Sequence, residues 1–432
     1  MSKRKRNPDH VRRRNQPSVS NEVLEKQFKE LLSPVVQNQM AYYRQLGMRS
    51  RILTLPLMVA AILTLIWRQV PSVHELTRLL NREDLLWSKA VKVTQQSLSE
   101  RLLIFPAELF ECVYKEIQPQ LVERWERRTD RALPEAIVVA RKHFAHIWAA
   151  DGSTLEALFR KLDALQEVEP GQLAGKMCVV LDLIRQLPVE LWFSKDAQAN
   201  DTTFTDQLVE LAGQNTLLIL DRGFYDFTFF ARLMVQGTQF ITRLKSNATI
   251  QHLRTLTKTD ALRDTLILLG SGQNGAPILQ VRLIEVRFGQ TWYRYITSVL
   301  DPQVLPPFVV ADLYRRRWRI EDAFNTAKRL LGLAYLWTGS VNGIQLQIWA
   351  TWLFYAVLVD LGDAVADAMA LPFDRISLEM LFRGLYHFTQ AFHHGDADDP
   401  VAYFADPQNQ DLGVVKQLRS QQPTLILDPF PT

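Results

Sequence analysis

The chain has 432 residues, 47% of them hydrophobic and 22% charged, with a formal net charge of +4. That composition is globular, and the length exceeds one ordinary core, so roughly two to four domains are expected. Only Cys112 and Cys178 occur, which excludes a disulfide framework and a sulfur-ligated zinc site and fits a reducing compartment.

Residues 1–20 form a basic tail carrying Lys3, Arg4, Lys5, Arg6, Arg12, Arg13 and Arg14. Such a run is disordered and self-repelling, and it points to a polyanionic partner, nucleic acid first. No apolar region follows it promptly, so no signal peptide is expected. Residues 21–130 read as a helical N-terminal region. Asn21–Leu32 starts it with apolar residues at helical spacing. The uncharged run ILTLPLMVAAILTLIW, Ile52–Trp67, is shorter than the roughly 20 residues of a membrane span and contains Pro56, so a buried core helix is expected and no membrane. Ser72–Leu80 and Val93–Leu102 resemble a helix-turn-helix unit, a pattern that helical bundles share. Thr94 and Ser97 are cap candidates, and Ser97 with Glu100 fits a capping box.

Strand patterns begin near residue 140. Phe144–Ala150 ends in Asp151. Met177–Ile184 and Val189–Ser194 are separated by RQLP. Thr216–Leu220 is apolar throughout and ends in Asp221, as a strand buried on both faces does. Helices are expected over Asp206–Gly213 and Tyr225–Gln236, and a strand over Phe240–Leu244. The whole is a mixed α/β sheet. Residues 246–305 read as a β-rich insertion, with strands at Thr265–Gly270, Ile278–Arg287 and Thr291–Leu300. A long helix follows, then a strongly apolar helix over 341–372. Residues 373–432 form a helical C-terminal region with a loop around HHGDADDP.

The run YRRRWRIEDAFNTAK carries the chemistry. At about 100° per residue, Tyr314, Arg317, Glu321 and Lys328 fall within an arc of roughly 60° on one helix. That face bears a phenol, two cations and a carboxylate. Leu313, Ile320, Phe324, Ala327 and Leu331 form a neighbouring apolar stripe, and Arg315, Arg319, Asp322, Thr326 and Arg329 point to solvent. Taken alone, the face is also what a surface helix with an Arg317–Glu321 ion pair would show. The two strand-end acids change the weighting. Asp151 in AADGST reads alone as a turn residue, and Asp221 in LLILDRGF as either a turn or a site residue. Together with Glu321 they could converge on one or two hard cations. An all-carboxylate set selects Mg²⁺ or Mn²⁺ over Zn²⁺ and suits phosphoryl transfer.

On these residues the chain resembles bacterial insertion-sequence transposases of the DDE class. Within that class it is similar to the group defined by Tyr, two residues, Arg, three residues, Glu, six residues, Lys (YREK), which Tyr314, Arg317, Glu321 and Lys328 match without departure. The resemblance covers roughly residues 130–370. It implies an RNase H-like catalytic domain, 131–245 and 306–372, interrupted by the insertion at 246–305. It implies Asp151, Asp221 and Glu321 as the metal-binding catalytic triad, with two Mg²⁺ or Mn²⁺ ions. It implies Tyr314, Arg317 and Lys328 as contacts to terminal DNA phosphates, and Arg222 is placed with them. Trp318 is open between packing and DNA contact. Relatives that cleave through a DNA hairpin stack a flipped base on an aromatic residue of the insertion, where this chain offers Tyr293 beside Trp292. The implied partners are double-stranded DNA, as terminal inverted repeats and target, and a second copy of the chain in a synaptic dimer. The implied setting is a bacterial cytoplasm, at the nucleoid. Two other readings stand beside cut-and-paste transposition: an inactive derivative that only binds DNA, and an RNase H-like nuclease.

The remaining polar residues are read as structural. His143 and His146 are expected on one strand facing opposite ways. His393 and His394 are expected in a solvated loop with Asp396, Asp398 and Asp399. Asp182, inside MCVVLDLI, is an alternative acid given a structural role.

Overall fold

The computed structural model describes residues 21–70, 72–156, 173–334, 336–337 and 340–415, so the basic tail lies outside the described residues. Helices come first: α1 (Asn21–Asn38), α2 (Met40–Gln45), α3 (Leu55–Trp67), α4 (Val73–Arg82), α5 (Gln95–Ile104), α6 (Glu108–Arg127) and the short α7 (Glu135–Ala140). The uncharged run is indeed a core helix. Thr54 caps α3 by accepting from the Leu57 N–H, Pro56 sits in the first turn where it costs no hydrogen bond, and every residue from Leu57 to Trp67 is buried. The α5 cap is Thr94, which accepts from the Ser97 N–H; Ser97 itself lies inside the helix, so the Ser97–Glu100 box does not form.

Among the described residues, nine strands make one sheet in the order β3-β2-β1-β4-β5-β9-β8-β7-β6. Their ranges are β1 (His146–Glu156), β2 (Leu173–Asp182), β3 (Pro188–Ser194), β4 (Thr216–Leu220), β5 (Gln239–Arg243), β6 (Ile250–Lys258), β7 (Leu262–Leu269), β8 (Leu279–Phe288) and β9 (Thr291–Thr297). β4 lies parallel to both β1 and β5, while β9 runs antiparallel to β5. The strands of 246–305 therefore extend the same sheet. β6 was not legible as a strand: its residues are mostly exposed and polar, so no alternation marks it.

Helices cover both faces. α8 (Thr205–Leu211) and α9 (Phe227–Val235) bury Leu208, Phe229 and Phe230 against Leu218, Leu220 and Phe240. On the other face lie α10 (Pro307–Arg316), α11 (Trp318–Asn325) and α12 (Val341–Ala368), followed by α13 (Leu378–His394) and α14 (Pro400–Ala405). β4 feeds both layers by alternation: Leu217 and Ile219 join the core under α10–α12.

That core runs without interruption into the N-terminal helices. Phe28 of α1 meets Phe354 of α12 at 5.2 Å between ring centroids. Arg128 and Arg131, just past α6, pair with Asp360 and Asp363 of α12, and the Arg131–Asp363 pair is almost fully buried at 2.8 Å. α12 is long and apolar enough to cross a membrane by length and composition, yet 89% of its most apolar stretch is buried within the protein.

Three sequence expectations change here. β1 begins at His146 and runs past Asp151 to Glu156, because β2 pairs with it as far as Leu173. His143 sits in the turn before that strand rather than on it. His393 and His394 close the last turn of α13 instead of lying in a loop, and Asp399 caps α14 through the Ala402 N–H. Asp182 accepts from the Ile184 and Arg185 N–H groups and pairs with Arg185 at 2.8 Å, a structural role.

Candidate active site

Strand register brings the first two acids together. The parallel β1–β4 ladder ends at the pair Ala150↔Leu220. Asp151 and Asp221 are each the next residue, so two carboxylates leave neighbouring strands side by side at the carboxyl end of that ladder, where α/β sheets place their sites. Ala150 and Leu220 point into the α8–α9 layer. By alternation Asp151 and Asp221 point the other way, toward α10 and α11.

Glu321 arrives from α11, and Arg317 joins all three. Arg317 Nη1 donates to Asp151 Oδ2 at 2.7 Å, and Nη2 donates to Glu321 Oε1 at 2.8 Å and stands 3.8 Å from Asp221 Oδ1. The Tyr314 hydroxyl donates to Asp221 Oδ1 at 3.3 Å. Arg317 and Tyr314 are each only 7% exposed. Burial pushes the Tyr314 phenol up to about 12, with the Asp221 charge adding to the rise. Asp151 is pushed up to about 7, first by burial; Arg317 opposes this, while Asp221 and Asp201 add to it. Three carboxylates share one guanidinium, and Arg317 Nε is itself buried without a hydrogen-bond partner. Among the described residues no three His, Cys, Asp or Glu form a ready ligand set, since Arg317 stands between the acids.

The helix expected through this run is modified in two places. Arg317 makes tight i→i+3 steps, its N–H to the Tyr314 carbonyl and its carbonyl to the Ile320 N–H, dividing α10 from α11. Thr326–Leu330 forms a π turn, a form frequent at functional sites. Lys328 sits on that turn and reaches β1 rather than the acids, donating to Ser153 Oγ at 2.6 Å and to the Thr154 carbonyl at 2.7 Å. The apolar stripe is as expected, with Leu313, Ile320, Phe324, Ala327 and Leu331 all buried. Arg319 is not a solvent residue: it and Arg316 grip Asp374, whose pKa falls below the usual carboxylate range because the two guanidiniums outweigh its burial. That clamp ties α10 and α11 to the turn that follows α12.

The other expected contacts separate by face. Trp318 is 60% exposed beside Arg317, and Arg222 is exposed beside Asp221. Tyr293 packs edge-on to Phe288 under the Arg243 guanidinium, on the same side of β9 as Tyr295, which touches Tyr314. Trp292 points to the opposite side, with Arg263 4.6 Å above its ring. Two residues were missed from sequence. Ser153, the partner of Lys328, carries no signal of its own. Asp201, paired with Lys176 at 2.7 Å, was masked by its loop.

Residues 166–357 match the family described as Transposase DDE domain. Asp221, Tyr314, Arg317, Glu321 and Lys328 lie inside the matched segment and Asp151 before it. The chain is 23% identical over 166 residues to a putative transposase for insertion sequence element IS4SA of Synechocystis, covering 37% of this chain and 46% of that protein. It is 28% identical over 198 residues to putative transposase y4zB of Sinorhizobium fredii, covering 44% and 54%. It is 25% identical over 167 residues to transposase InsG for insertion sequence element IS4 of Escherichia coli, covering 36% and 37%. The chain thus spans about half, or less, of the length of the curated relatives it matches. A cryo-EM structure of a piggyBac transposase synaptic complex with hairpin DNA aligns over 96% of this chain and 90% of that one, at 10% identity and a TM-score of 0.40. The likeness in sequence is to insertion-sequence DNA transposases of the DDE type.

Proposed function

We propose that the protein is a cut-and-paste DNA transposase of an insertion sequence, of the YREK group, with an RNase H-like catalytic core. The carrying observation is that Asp151, Asp221 and Glu321, from two adjacent strands and one helix, meet at the Arg317 guanidinium. The match to transposase DDE domains and insertion-sequence relatives supports the same reading.

The acids suit a divalent cation. Their donors are all oxygen, and the charge of three carboxylates exceeds that of Arg317. Asp151, Asp221 and Glu321 would hold one or two Mg²⁺ or Mn²⁺ ions. Bound there, such ions supply an activated attacking oxygen and stabilise the leaving one. Arg317 and Lys328 offer cations for phosphate oxygens, and Arg317 suits a bidentate grip. Tyr314 orients Asp221 through its hydroxyl. In this reading the substrates are the inverted-repeat ends of the element in double-stranded DNA, paired by two copies of the chain, then target DNA, in a bacterial cytoplasm. Water and then the 3′-hydroxyl attack phosphorus, and no covalent enzyme intermediate forms.

The test is end cleavage and strand transfer with labelled element ends and Mg²⁺. Asp151→Asn, Asp221→Asn and Glu321→Gln should each abolish cleavage while end binding stays nearly intact. Joined products distinguish a transposase from a nuclease. Mg²⁺-dependent cleavage by Glu321→Gln would sink the assignment.

A further inference from the structure

A fourth carboxylate is lodged between the segments that carry the first two acids. Asp201 opens the 3₁₀ turn Asp201–Phe204 that follows the loop after β3. Its side chain is 15% exposed, and Lys176 Nζ stands 2.7 Å from Oδ1. The same ammonium donates to the Ala199 carbonyl at 2.7 Å, so Lys176 holds the loop as well as the carboxylate. Lys176 lies on β2, in register with Thr154 of β1 and Ser194 of β3.

The two oxygens of Asp201 face two glycines. A Cβ at Gly152 would come inside 3.0 Å of Oδ1, and a Cβ at Gly223 inside 3.0 Å of Oδ2. Gly152 follows Asp151, and Gly223 lies two residues beyond Asp221. Neither glycine has a positive φ, so the need for glycine there is one of space and not of backbone conformation. The carboxylate fills the gap between the two acid-bearing segments. Placing it near the Asp151 charge is electrostatically unfavourable, and Lys176 is its local compensation.

We propose that Asp201, neutralised by Lys176, is a positioning residue that sets the spacing of the Asp151 and Asp221 segments by wedging its carboxylate between Gly152 and Gly223. The functional part rests on the transposase reading; the contact itself does not. Removing a group that orients metal-binding carboxylates typically costs 10–100-fold in metal affinity or activity.

The experiment has two arms on the full chain. In the first, Asp201→Ala raises the Mg²⁺ concentration for half-maximal end cleavage about 10-fold or more, with end binding within about twofold, and Asp201→Asn, which keeps the shape, is milder. In the second, thermal unfolding in chelator is followed for Gly223→Ala, Asp201→Ala and the pair. Gly223→Ala lowers Tm in the unaltered background and much less in the Asp201→Ala background, because alanine at 201 removes Oδ2 and Cγ, the atoms inside 3.0 Å, and leaves only Cβ at 3.3 Å. If Gly223→Ala does not fold, folding restored by adding Asp201→Ala supports the wedge, and failure in both backgrounds overturns it. Additive Tm shifts overturn the wedge, and an unchanged Mg²⁺ requirement in Asp201→Ala overturns the positioning role. Failure of the transposase reading shows separately, as cleavage that survives Asp151→Asn, while the thermal cycle still reports on the wedge.

Discussion

Arg317 donates to Asp151 at 2.7 Å across 166 positions of sequence. The same guanidinium holds Glu321, four residues along its own helix, so one buried cation is the internal counter-charge of acids from strand and helix alike. Burial works against the charge on Arg317, yet Asp151 and Asp221 more than offset this and hold its pKa above the usual value. The Asp151–Arg317 contact ties β1 to the junction of α10 and α11.

Removing that cation leaves the acids uncompensated. Arg317→Ala should lower stability in chelator by about 3 kcal/mol, the scale for breaking one side of a buried ion pair. Mg²⁺ should restore more stability to this variant than it adds to the unaltered protein, because the acids are then open to it. Urea unfolding with chelator or with Mg²⁺ measures both. Equal Mg²⁺ gains in the two proteins would argue against a shared site.

Asp151 makes stability depend on pH. Burial pushes its carboxyl up to about 7 in the folded chain, against an ordinary value of 3.8. The folded state therefore keeps a proton that the unfolded state releases, and stability falls as pH rises from about 4 to about 7. Asp151→Asn lacks this loss. In chelator its Tm should exceed that of the unaltered protein by a margin that grows over that window and then levels off. A margin independent of pH would refute the raised titration.

The faces of β9 separate two aromatic candidates. Tyr293 shares the side of Tyr295 and Tyr314, whereas Trp292 faces away under Arg263. If cleavage passes through a DNA hairpin, Tyr293→Ala should slow hairpin formation more than the first nick, since flipping a base costs a few kcal/mol that stacking offsets. Trp292→Ala should leave the ratio of nicked to hairpin product near that of the unaltered protein. A time course on a labelled end decides between them, and absence of any hairpin would remove the role altogether.

DNA binding should divide between tail and helices, and the whole chain is the right reagent. α1 and α6 share a core with α12, and Arg124 of α6 and Arg128 just past it pair with Asp360 of α12, so a fragment ending near residue 130 would expose that surface. Deleting residues 1–14 removes seven Lys and Arg. It should weaken end and random DNA alike and flatten the salt dependence of binding. Substituting Gln95 and Gln96, both exposed at the start of α5, should instead reduce the preference for element ends. Titrations at several salt concentrations separate the two effects.

Local pattern was enough for much of this molecule. The apolar stripe of 313–331, the two-sided burial of Thr216–Leu220 and the core character of Leu55–Trp67 follow from periodicity and composition, which each segment carries within itself. The Tyr-Arg-Glu-Lys spacing likewise predicts a shared working face, and Tyr314, Arg317 and Glu321 do share one. Tertiary packing decided the rest. The end of the β1–β4 ladder sets Asp151 beside Asp221, a matter of register between strands 70 residues apart that no local signal encodes. The π turn sends Lys328 to Ser153 instead of to the acids. Asp201 gained its place only when a loop, a lysine on β2 and two glycines met. Periodicity reports which face of an element is apolar. Which polar groups meet across elements depends on long-range pairing, and that exists only in the folded chain.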